Sequence, residues 1–163
     1  MKKIILAAMA VAAFGAQAAD EGAYVGVNYN HTKLSGEGSG SRNTAGFYAG
    51  YRAGNIAGEV ARFQKTVDGA KLVITDFAVI PRMNVAKDVD LLGKVGIRYS
   101  EISGEDNNGT FKEKGNSLVV GAGVEYNVMP QVSVRAMVDY SSKTFGLSGA
   151  HATTTTIGVA YKF

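Results

Sequence analysis

The 163-residue sequence contains no cysteine and no tryptophan, and only two prolines. Without cysteine, a small secreted domain held together by disulfides is excluded. Stability therefore has to come from apolar burial, either in a protein core or in lipid.

The sequence also lacks a long apolar run. Its N-terminal apolar stretch, Ile4 to Phe14, is about half of the roughly 20 residues that a transmembrane helix needs. Lys2 and Lys3 precede this stretch, and the small-residue site Ala16-Gln17-Ala18 follows it. This arrangement predicts a secretory signal peptide at 1–18, cleaved after Ala18, and a single domain at 19–163.

Net charge is low as well. Two of the 17 basic residues lie in the predicted signal peptide, so 15 basic residues face 14 acidic ones in the remainder, a formal charge of +1. A strongly basic surface for nucleic acid is therefore not expected, and we predict no nucleic-acid partner.

Beyond the signal, no segment keeps a helical apolar period over ten residues, whereas alternation with a period of two recurs throughout. We predict an all-β chain of eight strands, at 22–30, 44–52, 56–63, 71–83, 90–100, 116–127, 132–141 and 152–163. The connections at 53–55, 84–90 and 128–131 are short, and those at 31–43, 64–70, 101–115 and 142–151 are mostly longer, polar and glycine-rich. Short and long connections at opposite ends predict an antiparallel up-and-down β-barrel.

The alternation defines one apolar face and one charged face. Val132, Val134, Ala136, Val138 and Tyr140 illustrate the apolar face. The charged face also carries many glycines: Gly26, Gly46, Gly50, Gly96, Gly121, Gly123 and Gly158. In the ambiguous strand 56–63 we place Glu59 on the charged face, which turns Ile56, Val60 and Arg62 outward.

Two barrels fit this pattern, a soluble barrel of the lipocalin kind with the apolar face inside and a transmembrane barrel with it outside. Glycines on a water-facing surface would weaken the strands, whereas inside a narrow barrel they make room for long charged side chains. The tyrosines of the apolar face sort into two predicted aromatic girdles, as transmembrane barrels have. These are Tyr51, Tyr126 and Tyr161 at one end, and Tyr29, Tyr99 and Tyr140 at the other. We therefore predict a transmembrane β-barrel.

The interior charges have two interpretations. They either plug the lumen as salt bridges, as the width of an eight-stranded barrel favours, or form a narrow gated pore. The predicted interior network comprises Glu59, Asp76, Lys94, Arg98, Glu125, Arg135 and Asp139, with Arg52, Arg82 and Lys162 near one rim.

The stretch "VVGAGVEYNVMPQVSVRAMVDY" (119–140) resembles strands six and seven of small outer-membrane barrels of the OmpA-transmembrane-domain and OmpX/Ail type. The matching residues are Gly121, Gly123, Glu125, Tyr126, Pro130, Arg135 and Tyr140. The final "GVAYKF" is similar to the C-terminal strand of the same group. In that group, the last strand is taken to be read by the barrel-assembly machinery, which implies an assembly signal at Val159, Tyr161 and Phe163.

The resemblance implies export to the outer membrane of a Gram-negative bacterium, with periplasmic termini and extracellular long loops. We expect outer-membrane lipid as a partner, and a structural and adhesion-like role in which the loops contact a host or surface ligand. The candidate contacts are Lys33, Arg42, Lys112 and Lys114. A narrow channel for small solutes is the alternative.

We expect no enzyme, no metal and no cofactor. Some outer-membrane barrels modify lipids with a rim histidine, a serine and a carboxylate, and His31 and His151 are both predicted near the outer rim. Neither histidine lies in a sequence that matches those enzymes, so a lipid-modifying enzyme is the least favoured of the membrane alternatives.

Overall fold

The computed structural model describes residues 21–36, 40–67, 70–106, 109–142 and 151–163. The predicted signal peptide at 1–18 lies outside these ranges. The strands are β1 (Glu21–Ser35), β2 (Gly40–Ala53), β3 (Ile56–Val67), β4 (Ala70–Ala86), β5 (Val89–Asp106), β6 (Gly109–Met129), β7 (Val132–Ser142) and β8 (His151–Lys162). Within the described ranges, no helix has the length and apolar content to cross a bilayer.

The eight strands form a closed antiparallel barrel in which each strand pairs with its sequence neighbours. Closure is made by β1 and β8, where Val27 lies opposite Val159 and Tyr29 lies opposite Ile157. Because the ladder closes on itself, the barrel has no edge strand, although 40–45 of β2 and 109–118 of β6 extend past their pairing with β3 and β7. The predicted fold class, an eight-stranded up-and-down barrel, is confirmed.

The predicted strand ends next to the long connections were wrong, because the strands extend further than expected. β1 continues to Ser35, β5 continues to Asp106, and β6 begins at Gly109. Most of the predicted loops 31–43, 64–70 and 101–115 are therefore paired strand, while 143–150 lie outside the described residues. These extensions have too little apolar alternation to reveal a strand, but backbone pairing does not depend on side-chain polarity.

The opposite end has three tight turns, at 54–55, 87–88 and 130–131, each within a predicted short connection. The predicted connection 84–90 was too long, because β4 continues to Ala86 and β5 begins at Val89. Gly54 and Asp88 have positive φ angles of 57° and 64°, so the first two of these turns use residue types that tolerate the left-handed region. We call this the turn end of the barrel, and the other the hairpin end.

The two faces lie as the alternation predicts. On every strand most apolar side chains point outward and are exposed, including Phe47, Phe77, Ile97, Leu118 and Ile157. The lumen holds the buried charged side chains and many buried polar ones, together with apolar residues such as Ile80, Leu92 and Met137. In β3, Glu59 is buried while Ile56, Val60 and Arg62 are exposed, so the phase chosen for this strand is correct.

Candidate functional site

The lumen is filled by charged side chains arranged in three clusters along the barrel. At the turn end, Arg82 donates to both carboxylate oxygens of Glu125 at 2.9 Å and lies 3.4 Å from Asp90. Lys162 Nζ lies 3.0 Å from Glu125 Oε1, and Arg52 Nη1 lies 3.7 Å from Asp90 Oδ2. These five residues, the turn-end cluster, join β2, β4, β5, β6 and β8 across the lumen.

The central cluster consists of Glu59, Arg135, Tyr24 and Tyr48. Arg135 makes a bidentate ion pair with Glu59, in which Nη1 donates to Oε2 at 2.5 Å and Nη2 donates to Oε1 at 2.9 Å. Tyr24 Oη donates to Glu59 Oε2 at 2.9 Å, and the Arg135 guanidinium carbon lies 3.6 Å from the centre of the Tyr48 ring. The carboxylate thus receives three hydrogen bonds, and the cation is covered by an aromatic face.

The hairpin-side cluster consists of Asp76, Lys94, Arg98 and Asp139. Arg98 donates through Nε and Nη2 to the two oxygens of Asp76, both at 2.8 Å. Lys94 Nζ bridges the two acids, at 3.0 Å from Asp76 and 2.8 Å from Asp139. Both carboxylates are 3% exposed or less, so each charge is stabilised mainly by these contacts rather than by water.

Every predicted member of the interior network therefore lies in the lumen, in contact with an opposite charge. Asp90 belongs to the network and was missed in the sequence analysis. Its even numbering, shared with Lys94 and Arg98 on β5, is the signal that could have found it. With Asp90, five described lumen carboxylates face six cations, whereas the sequence analysis counted four acids.

Between the hairpin-side cluster and the hairpin end, the lumen is lined partly by apolar side chains. Phe63, Leu72 and Ile74 of β3 and β4 point inward and face a small cavity of about 40 Å³. On β1, β2 and β8 the opposite wall is polar, with Thr156 Oγ1 donating to Asn30 Oδ1 at 2.7 Å. These inward-facing apolar side chains were not singled out in the sequence analysis.

The four basic residues predicted as surface contacts lie on three different strands. Lys33 is exposed on β1, and Arg42 lines the small cavity at the hairpin end of β2. Lys112 and Lys114 lie on β6, not in a loop as predicted, because the β5–β6 ladder continues past them. Their ammonium groups lie 2.9 and 3.7 Å from the Glu101 carboxylate, and the hydrogen bond from Lys112 is the main cause of the lowered pKa of Glu101.

The predicted girdle tyrosines all point outward and are between 45% and 58% exposed. Tyr51 and Tyr126 lie within four residues of a tight turn, and Tyr161 lies beside Val132, where β7 begins. Of the predicted assembly residues, Val159 and Tyr161 point outward, and the Phe163 ring packs edge-on against Tyr161 with centroids 5.1 Å apart.

The histidines do not form a catalytic arrangement in the described part of the chain. His31 Nδ1 lies 2.6 Å from Asn43 Oδ1, and the His151 ring lies against Tyr140 with centroids 5.7 Å apart. The Asp139 carboxylate, one residue before Tyr140, is held in the lumen by Lys94. Within the same ranges, no cluster of three or more potential metal ligands occurs.

The architecture defines a class: a small closed barrel with an apolar exterior and a charged interior. The family described as "Outer membrane protein beta-barrel domain" matches residues 4–163, and the chain belongs to this family. No curated protein matches the sequence.

Among solved structures, the chain is similar to Ail, the attachment invasion locus protein of Yersinia pestis, at 20% identity and a TM-score of 0.69. That match covers 88% of this chain and 99% of Ail. It is also similar to Neisserial surface protein A, at 23% identity and a TM-score of 0.71, covering 86% of this chain and 97% of the other. OprG from Pseudomonas aeruginosa matches at 13% identity and a TM-score of 0.60, covering 88% and 97%. The resemblance inferred from 119–140 is thus confirmed, and the protein is a small outer-membrane β-barrel.

Proposed function

We propose that the protein is a structural outer-membrane barrel with a closed lumen, which binds anionic surface ligands through its hairpin end. The observation that supports this most strongly is the lumen network, in which all five described carboxylates lie within 4.0 Å of a cation. A lumen crossed by paired charges offers little space for solutes. Ligands and partners would then bind at the outer wall or at the two ends of the barrel.

The different turn and hairpin ends of the barrel support a proposed orientation in the outer membrane. The N-terminal signal peptide would export the chain, and the turn end and both termini would face the periplasm. The exposed apolar wall would contact outer-membrane lipid, with the six tyrosines as girdles. The outward alternation of Val159 and Tyr161, continued by Phe163, would be read by the barrel-assembly machinery.

The chemistry of the hairpin end favours an anionic ligand. Lys112 and Lys114 are 53% and 68% exposed on one strand, while Lys33 and Arg42 add positive charge on β1 and β2. A second structure of Ail contains the heparin analogue sucrose octasulfate, and this chain matches it at 20% identity and a TM-score of 0.70. We infer that a sulfated or otherwise polyanionic sugar is the ligand class, and that the role is adhesion-like contact rather than catalysis.

Replacing both Lys112 and Lys114 with glutamine should weaken binding of sucrose octasulfate to the detergent-solubilised barrel about three- to tenfold. Two exposed charge contacts would be lost, and contacts of this kind contribute a few tenths to about one kcal/mol each. Calorimetric titration at low salt measures the affinity, and binding should weaken as salt is added.

The matched control is Lys87→Gln, which removes an exposed lysine from a tight turn at the opposite end. This variant should bind as the unchanged protein does. Equal affinity of the double variant and the control would contradict a ligand site at Lys112 and Lys114. The different gel mobility of unheated and boiled samples, typical of folded outer-membrane barrels, verifies that each variant is folded.

A narrow channel is the second candidate function. It is favoured by the surplus of one cation in the described lumen and by Asp139 Oδ1, a buried carboxylate oxygen for which the described residues provide no hydrogen-bond donor. In such a channel, rearrangement of the ion pairs around Asp139 would open and close the pore.

A further inference from the structure

The wall of the barrel has a gap between β2 and β3 at the hairpin end. The β2–β3 ladder stops at the pair Gly46–Phe63, and beyond it 40–45 pair only with β1 and 64–67 pair only with β4. The small cavity of about 40 Å³ borders this gap, because its lining includes Arg42 of β2 and Phe63 of β3. A pocket therefore lies beside two stretches of strand that each have one unpaired edge.

The size and lining of this pocket suit a small apolar group. Phe63, Leu72, Ile74 and Ala152 all line it, and Ala152 is only 1% exposed. One water molecule needs about 10–15 Å³ of such space, so the pocket has space for about three or four non-hydrogen atoms. A branched alkyl group of the size found in valine or leucine fits this limit, whereas a sugar ring does not.

The charges next to the pocket favour a carboxylate. The lining contains two arginines, Arg42 and Arg98, and no acid. Arg98 is held by Asp76, whereas Arg42 is exposed. Lys65 lies on the lumen-facing side of β3, two residues beyond Phe63. In the described structure neither Arg42 nor Lys65 has a carboxylate within ion-pair distance, so two cations without an acid lie on the two strands that border the gap.

We propose that this pocket captures the C-terminal residue of an extended partner polypeptide. The free carboxylate binds Arg42 and Lys65, since guanidinium and ammonium groups are both strong donors to a carboxylate. The last side chain, of valine or leucine size, packs against Leu72 and Ile74. This inference goes beyond the proposed function and does not depend on it.

The unpaired strand edges favour a polypeptide over a small carboxylic acid. Backbone N–H and C=O groups that face the gap from 40–45 and 64–67 can pair with an added strand. In this mode of recognition the main-chain pairing provides affinity, while the pocket and the captured chain end provide specificity. A short-chain acid would use the pocket and the two cations but would leave both edges unpaired.

The pocket is separable from the sugar site proposed above, although Arg42 belongs to both. Lys112 and Lys114 lie on β6 and do not line the pocket. The variant K112Q/K114Q should therefore keep its peptide binding. Ala152→Leu fills the pocket without changing any charge, so this variant should keep its binding of sucrose octasulfate.

The test is fluorescence anisotropy of a labelled pentapeptide that ends in leucine, titrated with the detergent-solubilised full barrel. Conversion of the peptide's carboxylate to an amide should weaken binding about three- to tenfold, the range expected for exposed charge contacts. R42Q/K65Q should weaken binding of the unmodified peptide by a similar factor. The matched control K71Q/K87Q removes two exposed lysines that do not line the pocket and should have no effect.

The apolar part of the site is tested separately. A peptide that ends in glycine should bind at least about tenfold more weakly, since burial of a leucine side chain is lost. A152L should remove this preference for leucine. Ala136→Leu makes the same change on the exposed face of β7 and should bind both peptides as the unchanged protein does. Heat-sensitive gel mobility verifies folding, and the two peptide changes need no protein variant.

Three results would overturn the proposal. They are the absence of saturable binding at about 1 mM leucine peptide, equal affinity for the amidated peptide, and unchanged leucine preference in folded A152L. Isocaproate has the carboxylate and the branched chain but no peptide backbone. Equal affinity for isocaproate and the leucine peptide would show a site for small acids and would also overturn the capture of a polypeptide.

Discussion

Replacing Arg135 with methionine should lower the free energy of unfolding by about 3–5 kcal/mol, the largest effect expected for a single side chain in the lumen. Methionine fills part of the volume but leaves the Glu59 carboxylate, which is 5% exposed, without its cation. It also removes the guanidinium from the face of the Tyr48 ring. Urea unfolding in detergent micelles, followed by gel mobility of unheated samples, measures the change.

Two further variants distinguish loss of charge pairing from loss of volume. R135M/E59Q has no buried unpaired charge, and the amide oxygen that E59Q introduces can still accept the hydrogen bond from Tyr24, so most of the lost stability should return. Arg62→Met makes the same chemical change on the outer wall and should alter stability by less than about 1 kcal/mol. A small effect of R135M, or no recovery in the double variant, would contradict the role assigned to the central cluster.

Gly26→Val should reduce stability by about 3 kcal/mol or prevent folding. A Cβ atom at Gly26 would lie 2.3 Å from Tyr48 Cζ and 2.5 Å from the Val159 carbonyl oxygen. Neither neighbour can withdraw easily, because Tyr48 is packed against Arg135 and Val159 belongs to the closing β1–β8 ladder. Overpacking of this kind costs about 1–3 kcal/mol where side chains can adjust and more where backbone must move.

Gly58→Val is the matched control, because Gly58 is exposed in β3 and nothing lies within 4 Å of its added Cβ. Valine also has the higher strand propensity, so this variant should be as stable as the unchanged protein or slightly more so. Folding yield and the urea midpoint compare the two variants. Similar losses for both would show that glycine is needed for backbone reasons and not to accommodate lumen side chains.

The distribution of residues between the two faces could be predicted from the sequence because the side-chain period of a strand is two. Glu59 set the phase of β3, and its burial beside Arg135 agrees with that choice. The same alternation also predicts that Asp90 points into the lumen. This residue was missed because it lies at the start of a strand.

The hairpin extensions and the individual ion pairs could not be predicted in the same way. Extensions such as Thr32 to Ser35 contain only one apolar residue, so their pairing depends on the backbone and leaves little pattern in the sequence. Glu59 and Arg135 are 76 positions apart and meet across the lumen. Which charges meet there depends on strand tilt and stagger around the closed barrel, which no local pattern encodes.

The central claim, that paired charges close the lumen, is tested most directly by planar-bilayer recording of the purified, folded protein. Protein recovered from the same lipid should keep its heat-sensitive gel mobility, which shows that the barrel is inserted and folded. The account predicts a flat current at all applied voltages, without discrete conductance steps. Reproducible single-channel steps from folded protein would contradict a closed lumen and would establish the narrow channel instead.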